Sequence, residues 1–319
     1  MVKISVIIPV YNSAQYLLQC LESVANQTLR DIEIICVNDC SSDNGFSILQ
    51  EYAKNDWRIK LVNLKENKGA AVARNIAIEA ASGQYLGFVD SDDFVDLNFY
   101  EKLYERAIKT SADAVKGNFK IYYPKTKLAQ KETWIDINDD VKRHPANFYF
   151  SFTSAIYKTS LIKKNSIKFL EGLIHFEDPY FTIKAALFYK KLEVIDDVFY
   201  YYVKNPNSIS RKKVGLKHVE SLIAGIIEVL KLLDENCADK THYVIIFNFL
   251  LEQLLCWCNR IDINDDATTK AISGLSILYN CCRYKEECAA YHFLRKKKIQ
   301  KIEIAKKLRN RVKNDHKHS

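Results

Sequence analysis

The chain has 319 residues and a formal net charge of +8, and 48% of its residues are hydrophobic. A chain of this size usually makes one large domain or two modest ones and can bury a sizeable core. Its nine cysteines lack the paired spacing and the histidines of a zinc site. This pattern favours buried free thiols in a reducing compartment over metal binding.

The first part of the chain alternates strand and helix patterns, which predicts a parallel sheet with crossover helices. The predicted strands are Ile4 to Pro9, Ile32 to Val37, Ile59 to Leu64 and Tyr85 to Val89. The predicted helices are Ala14 to Asn26, Asp43 to Lys54, Ala70 to Ala81 and Leu97 to Thr110. The apolar run at residues 3–9 is too short for a signal peptide, so we expect a cytoplasmic protein.

The regular alternation ends after this part of the chain. Strand-like stretches at Ala114 to Tyr123 and Phe148 to Tyr157 are followed by a helix from Pro179 to Tyr189 and an aromatic run at residues 199–202. This order predicts a mixed, mainly parallel sheet that includes an antiparallel element. The aromatic run is also consistent with an edge strand.

From about Val214 onward the pattern is almost wholly helical, which predicts a C-terminal helical appendage. Its longest apolar stretch, Tyr243 to Cys258, is shorter than the ~20 residues of a membrane span, so we expect a buried or interfacial helix. Lysine and arginine are concentrated between Arg295 and Lys313. This basic tail is either a solvated helix or a peripheral contact with an anionic membrane, and it carries no nucleic-acid-binding motif.

Three carboxylates lie within four residues at the end of the fourth predicted strand, in the run Asp90-Ser91-Asp92-Asp93. In an open α/β sheet ligands bind outside the carboxyl ends of the strands, where such a cluster is well placed to hold a divalent metal against a phosphate. The alternative is a solvated turn that caps the next helix.

Other predicted strand ends carry side chains that suit a nucleotide diphosphate. Tyr11 follows the first strand and supplies an aromatic ring that can stack on a base, and Asp39 follows the second and can accept a hydrogen bond from it. Lys68 and Arg74 add two cations near the same edge, where phosphate is expected.

Four motifs in this order resemble those of the family 2 glycosyltransferases with the GT-A fold. They are P-V-Y-N at positions 9–12, V-N-D-C-S-S-D at 37–43, N-K-G-A-A-V-A-R-N at 67–75 and D-S-D-D at 90–93. The sequence departs from the family at Asn38, where many relatives have Asp, and at Ala77, where a Gly is frequent. The Q-x-x-R-W motif of processive members is absent from the sequence, so transfer of one sugar per encounter is expected.

The resemblance implies a UDP-sugar donor and an Mn²⁺ or Mg²⁺ cofactor. Asp92 would contact ribose or metal, and Asp93 would hold the metal on the diphosphate. The residues that the resemblance and the strand ends together assign to the donor and its cofactor are Pro9, Tyr11, Asn12, Asp39, Lys68, Arg74, Asp90 and Asp92. It also implies a catalytic domain over residues 1–213, with a nucleotide-binding half near 1–115 and an acceptor half near 116–213, before the helical region 214–319.

Transfer to a hydroxyl group needs a base, because a proton must leave as the new bond forms. Glu177-Asp178 is the candidate pair, and the resemblance selects Asp178 as the general base. A carboxylate at a helix start is otherwise a cap. His175 precedes the pair and would contact substrate or metal, or be structural.

The resemblance therefore implies an inverting, metal-dependent transferase that acts on a glycan or glycolipid in the synthesis of a bacterial surface polysaccharide, a lipooligosaccharide or a capsule. Two alternatives remain open. A nucleotidyltransferase would share the sheet and the metal, but P-V-Y-N-S at positions 9–13 has no glycine for a phosphate loop. A catalytically silent scaffold or glycan-binding protein would keep the fold without turnover.

Overall fold

The computed structural model describes residues 1–131, 151–174, 176–205 and 216–236, together with residues 243, 244, 246, 247 and 250. The chain divides into two compact units, Met1–Lys212 and Lys213–Ser319. The functional labels predicted for the two parts and for the two halves of the first stay predictions. His175, the segment 132–150, most of Tyr243 to Cys258 and the basic tail lie outside the described residues.

The described strands of the first unit form one sheet of nine strands. They are β1 (Ile4–Val10), β2 (Ile32–Asn38), β3 (Ile59–Asn63), β4 (Tyr85–Phe88), β5 (Phe94–Val95), β6 (Ala114–Tyr123), β7 (Leu128–Lys131), β8 (Ala155–Lys158) and β9 (Leu192–Val203). The order across the sheet is β3-β2-β1-β4-β8-β6-β9-β5, and β7 pairs with β6.

The pairing directions confirm the predicted mixed sheet. Strands β1 to β4 are mutually parallel where they pair, as crossover helices require. Strand β8 is antiparallel to both β4 and β6, and β5 and β7 are antiparallel to β9 and β6, so the sheet contains the antiparallel pairing that the sequence predicted. The aromatic run lies within β9, which pairs with β6 on one side and β5 on the other. It is therefore an internal strand and not the edge strand that the sequence suggested.

Helices cover both faces of this sheet. They are α1 (Ala14–Ala25), α2 (Gly45–Asn55), α3 (Ala70–Ala80), α4 (Phe99–Thr110), α5 (Thr159–Lys164) and α6 (Glu177–Ala186). Buried side chains of α1, α2 and α4 share one hydrophobic core, and those of α3, α5 and α6 share the other. The helix predicted from Pro179 begins two residues earlier, so the acidic pair at 177–178 forms its first turn.

The register between β6 and β9 contains a bulge that matters for the site described below. Lys116 pairs with Val194 and Asn118 pairs with Phe199, so β6 advances two residues while β9 advances five. The extra residues change which side chains of the aromatic run face each side of the sheet, since successive strand residues point to opposite faces.

The described part of the second unit is mainly the helix α7 (Leu216–Asn236), which agrees with the predicted helical pattern. None of the described helices is long and apolar enough to cross a membrane. In the first unit Cys20 and Cys36 are free and buried, as predicted, whereas the free thiol of Cys40 is exposed.

A buried carboxylate ties three parallel strands together near their amino ends. Glu33 accepts hydrogen bonds from Ser5 Oγ at 2.5 Å and from the Ser82 backbone nitrogen at 2.6 Å, and it pairs with Lys60. Burial alone would raise the pKa of Glu33, but its ion pair and hydrogen bonds lower it from 4.5 to about 2. The ionised form therefore stabilises the folded protein at neutral pH.

We expect acidification from pH 4.5 towards pH 2 to remove about 3 kcal/mol of stability that Glu33 provides, because the carboxylate becomes protonated in that interval. Glu33→Gln should lower the free energy of unfolding at pH 7 and flatten its decline in this acid range. Urea denaturation at a series of pH values measures both effects. Glu79→Gln is the matched control, since Glu79 pairs with Lys168 at the surface and should change little. Parallel pH curves for Glu33→Gln and the parent protein would refute this role.

Candidate active site

The carboxyl ends of β1, β2 and β4 meet at a cleft of about 300 Å³. Six of the residues predicted from strand ends and motifs line it: Pro9, Tyr11, Asp39, Arg74, Asp90 and Asp92. The parallel strands bring them to one edge although they are spread over more than eighty residues of sequence. Asn12, Lys68, Asp93 and Asp178 contact the residues around this cleft and do not line it.

Asp39 is buried at the floor of the cleft. Its two carboxylate oxygens accept hydrogen bonds from the backbone nitrogens of Lys68, at 2.7 Å, and Gly69, at 2.8 Å. Gly69 has a φ of +89°, a conformation that glycine adopts without steric cost, and it immediately precedes α3. The two N–H donors fix the carboxylate in one orientation and leave further lone pairs that can accept from a ligand.

Tyr11 and Asn12 occupy the turn after β1. The Tyr11 ring lines the cleft and 47% of the residue is exposed, so a planar group can stack on it. Asn12 has a positive φ of 47° and its Oδ1 accepts a hydrogen bond from the Ser42 nitrogen at 2.8 Å. Asn12 thus joins the turn after β1, which carries Tyr11, to the turn after β2.

The two predicted cations differ in their surroundings. Lys68 is at the surface, where its Nζ lies 3.2 Å from a Glu66 oxygen and can reorient towards a ligand. The Arg74 side chain is only 6% exposed, and its guanidinium contacts Asp90, Glu177 and Asp178. The predicted contact of Arg74 with phosphate stays a prediction.

The acidic turn after β4 directs its last two carboxylates to different places. Asp92 lines the cleft, whereas Asp93 is buried beneath it. Asp93 accepts hydrogen bonds from the Tyr200 hydroxyl, at 2.6 Å, and from the Val203 nitrogen, at 2.8 Å. Because both Asp93 oxygens already have donors from β9, this geometry favours Asp92 over Asp93 as the residue that meets a metal.

Strand β9 and the residues just after it hold this turn through hydrogen bonds. The Tyr200 hydroxyl donates to Asp93 and accepts from the Asp90 backbone nitrogen at 3.1 Å. Asn205, just after β9, donates to Asp92 Oδ2 at 3.3 Å. The sequence singled out the aromatic run that contains Tyr200 but did not indicate the contacts of Tyr200 and Asn205 with the acidic turn, because both residues follow the turn by more than a hundred residues and no local motif connects them.

The acidic turn carries more negative charge than its protein partners balance. Burial, and then the neighbouring charge of Asp90, raise the pKa of Asp92. Burial and the charges of Asp92 and Asp90 raise the pKa of Asp93 well above its ordinary range. A divalent cation would relieve this repulsion, and carboxylate oxygens are the ligands that Mg²⁺ and Mn²⁺ prefer. The donor set therefore fits the predicted metal.

No group of three or more His, Cys, Asp or Glu side chains converges as a self-sufficient metal cage within the part of the chain that the structure describes. A site of one or two carboxylates is typical for magnesium that completes its coordination with substrate phosphates and water. We therefore expect that metal binding at Asp92 would depend on a diphosphate in the cleft.

Asp178 lies in the first turn of α6, beside the cleft. Its Oδ1 is buried without a hydrogen-bond partner among the described residues and lies 3.8 Å from Arg74 Nη1, although 46% of the side chain is exposed. Burial of this oxygen, and then the charge of Glu177, raise the pKa of Asp178, and Arg74 opposes this rise. A carboxylate whose pKa is raised is a stronger base than an ordinary Asp carboxylate.

The backbone before Asp178 is strained. Phe176 has a φ of +84°, which is unusual for a bulky side chain, and it is buried at the residue that precedes α6. Such conformations cost about 1–3 kcal/mol and persist only where surrounding contacts hold them. The acidic pair at 177–178 is therefore presented by a turn that the fold enforces.

The protein has a mixed α/β sheet whose carboxyl edge carries an acid, an aromatic ring and an acidic turn, and this edge is where open α/β sheets bind ligands. The chain belongs to glycosyl transferase family 2, whose family model matches residues 5–168. This match confirms the predicted family and, with it, the predicted enzyme class, a glycosyltransferase.

Two curated relatives and one solved structure illustrate the similarity. The uncharacterized glycosyltransferase EpsJ of Bacillus subtilis is 33% identical over 216 residues, which are 65% of this chain and 62% of EpsJ. The poly(ribitol-phosphate) beta-glucosyltransferase of Bacillus spizizenii is 33% identical over 251 residues, which are 77% of this chain but 39% of that enzyme. The chain thus spans less than two thirds of the length of either relative.

The structural match is to residues 1–349 of TarS from S. aureus in complex with UDP-GlcNAc. Its TM-score is 0.71 at 24% identity, and it covers 88% of this chain and 81% of the TarS chain. The likeness confirms the predicted GT-A fold.

Proposed function

We propose that this protein transfers one sugar from a UDP-sugar to a hydroxyl group of a glycan or glycolipid acceptor, with inversion at the anomeric carbon. One observation carries the proposal. Arg74 contacts both Asp90, which lines the nucleotide cleft, and Asp178, which can act as a base, so both functional groups lie around one guanidinium. A binding protein would need the cleft but not the base.

The donor half of the cleft suits a uridine diphosphate. Tyr11 stacks on the uracil ring, and Asp39 accepts the N3–H of uracil with the oriented carboxylate described above. Pro9 and Asn12 shape this base pocket, Lys68 approaches the diphosphate from the surface, and Asp90 and Asp92 reach the ribose and phosphates. TarS, which shares the fold, is in complex with UDP-GlcNAc, and this supports a UDP-sugar donor.

Asp92 would hold Mn²⁺ or Mg²⁺, which would stabilise the negative charge that develops on the departing diphosphate. Asp93 supports the turn from beneath through Tyr200 and Val203. Its predicted role as a second metal ligand stays a prediction, which a comparison of Asp92→Asn with Asp93→Asn tests.

Asp178 takes the proton of the attacking acceptor hydroxyl. The acceptor oxygen forms a bond to the anomeric carbon while the bond from that carbon to the phosphate oxygen breaks, and its electron pair leaves with UDP. Attack opposite the leaving group inverts the anomeric centre, so an α-linked donor gives a β-linked product. This single displacement needs no covalent nucleophile from the protein.

The acceptor class is inferred from the names of the relatives. One of them is named as a poly(ribitol-phosphate) beta-glucosyltransferase, which supports a bacterial surface polymer as the acceptor of this chain too. Lipooligosaccharide and capsule belong to the same proposed class. We place the reaction in the cytoplasm, where peripheral contact of the basic tail with the inner membrane face would bring the enzyme to a glycolipid.

A panel of sugar nucleotides tests the proposal. With Mn²⁺ present, we expect UDP-sugars to raise the melting temperature more than GDP- or CMP-sugars, and one UDP-sugar to be slowly hydrolysed to UDP. A nucleotidyltransferase would instead consume a sugar 1-phosphate and a nucleoside triphosphate. Absence of both hydrolysis and stabilisation across the panel would favour a silent scaffold and would refute the proposed function.

A further inference from the structure

We propose that Arg74 is a positioning residue for the general base: it holds the Glu177-Asp178 pair beside the donor cleft and favours the ionised form of Asp178. This inference rests on the proposed function, because it takes Asp178 as the base. It differs from the sequence expectation, in which Arg74 approaches the diphosphate directly.

The guanidinium joins three separate parts of the chain. From its place on α3, its Nη2 donates to Asp90 Oδ1 at 2.8 Å, on the turn after β4. Its Nη1 lies 3.4 Å from Glu177 Oε1 and 3.8 Å from Asp178 Oδ1, on α6. Both terminal nitrogens thus face carboxylates, and the planar, permanently charged group suits a bridge between them.

The same guanidinium is packed where it cannot turn freely. Its central carbon lies 4.7 Å from the centroid of the Phe152 ring and 5.1 Å from that of Phe169, distances at which a cation is attracted to an aromatic face. The side chain is only 6% exposed. Swinging Arg74 towards a phosphate would break its ion pairs and these ring contacts together.

Asn75, the next residue of α3, fixes the segment that leads to the base. Its Nδ2 donates to the Phe169 carbonyl oxygen and to Glu171 Oε1, both at 2.9 Å, and its Oδ1 accepts from the Phe169 nitrogen at 2.8 Å. Phe169 is one of the two rings against Arg74. Helix α3 therefore holds both the start of this segment, through Asn75, and its end, through Arg74.

The charges around Asp178 explain why a cation is needed there. Among the described residues that face it, Glu177 and Asp90 are acidic and disfavour its ionised form, and burial acts in the same direction. Tyr157, on β8, is a neutral neighbour whose own pKa is raised, first by burial and then by Asp178. Arg74 supplies the opposing positive charge.

The strained turn at Phe176 is a second reason why Arg74 is needed to hold the base in position. A backbone held at positive φ relaxes unless contacts on both sides hold it. The ion pairs from Arg74 to Glu177 and Asp178 act on the residues directly after that turn. Loss of Arg74 is therefore expected to let the base move by distances that matter for proton transfer, where a displacement near 1 Å costs about 10²-fold in rate.

The test compares Arg74→Gln and Arg74→Lys with the parent protein and with Arg58→Lys. Arg58 is the matched control, since it is also largely buried and paired with an acid, Asp56, far from the cleft. Affinity is measured by calorimetry with UDP and Mn²⁺. Rate is measured as hydrolysis of the UDP-sugar that the donor panel selects, across a series of pH values.

For Arg74→Gln we expect the rate to fall by about 10²-fold and UDP affinity to change by less than about threefold. The acid limb of the rate profile should move to higher pH, because Asp178 loses the cation that favours its ionised form. Arg74→Lys should keep the position of the acid limb better than Arg74→Gln. Arg58→Lys should change neither the affinity nor the limb.

Glu177→Gln gives an independent check that keeps Arg74 and does not depend on the folding of the Arg74 variants. It removes an acid that disfavours ionised Asp178, so the acid limb should move to lower pH, opposite to the shift in Arg74→Gln. UDP affinity lowered about tenfold in Arg74→Gln, with the acid limb unmoved, would overturn the proposal and make Arg74 a phosphate ligand. An acid limb and rate unchanged in Asp178→Asn would instead refute the assignment of the base itself.

Discussion

Asp178→Asn is expected to lower the rate of sugar transfer by about 10²–10⁴-fold while UDP affinity stays within about twofold of the parent value. The amide has the shape of the carboxylate but cannot accept the acceptor's proton. Asp178 does not line the nucleotide cleft, so its loss leaves the donor contacts in place. Single-turnover transfer and calorimetric titration with UDP and Mn²⁺ separate the two effects.

The pH dependence adds a second readout. A base must be ionised to act, and burial together with Glu177 raises the pKa of Asp178. The parent rate should therefore fall on acidification at a higher pH than an ordinary Asp would give, and the residual rate of Asp178→Asn should lack this limb. Asp197→Asn, a surface change far from the cleft, is the control and should behave as the parent. Full transfer by Asp178→Asn would remove this residue from the mechanism.

Asp92→Asn is expected to abolish the effect of Mn²⁺ on UDP binding and to lower transfer by about 10²–10³-fold. Of the last two carboxylates in the acidic turn, Asp92 is the one that lines the cleft. The amide keeps the bulk of the side chain but loses the charge that a divalent cation needs. Melting temperature with UDP, measured with and without Mn²⁺, reports the loss directly.

Asp93→Asn is the matched variant one residue away. Because Asp93 is buried and accepts hydrogen bonds from Tyr200 and Val203, we expect it to lower the free energy of unfolding by about 1–3 kcal/mol and to keep the response to Mn²⁺. The opposite pattern, a stable Asp93→Asn protein that no longer responds to Mn²⁺, would make Asp93 the metal ligand that the family resemblance implies.

Residues that act from strand ends were accessible to sequence reasoning. Tyr11, Asp39 and Asp92 each follow a recognisable apolar strand, and parallel strands necessarily deliver their carboxyl ends to one edge. For this reason the cleft was predictable as a set of residues before any tertiary contact was known.

The orientation of the side chains in that set was not predictable, because it depends on residues that are distant in the sequence. The direction of Arg74 is determined by rings at Phe152 and Phe169 and by acids on α6, all more than seventy residues along the chain. Asp92 and Asp93 are neighbours in sequence, and only β9 distinguishes the one that faces the cleft. The internal position of β9 was missed for the same reason, since its partner β5 has two residues and no pattern of its own.

Because of the bulge between β6 and β9, the number of residues in this part of β9 determines which side chains reach the acidic turn. Tyr200 reaches the acidic turn because β9 advances by five positions, from Val194 to Phe199, where β6 advances by two. Deleting one residue from that excursion would bring Tyr201 to the register position of Tyr200, and it would also move Asn205, which donates a hydrogen bond to Asp92, by one residue along the chain. Substitutions at Asp196 or Asp197 are therefore expected to disturb the acidic turn less than a deletion of one residue there, because they leave the register of β9 unchanged.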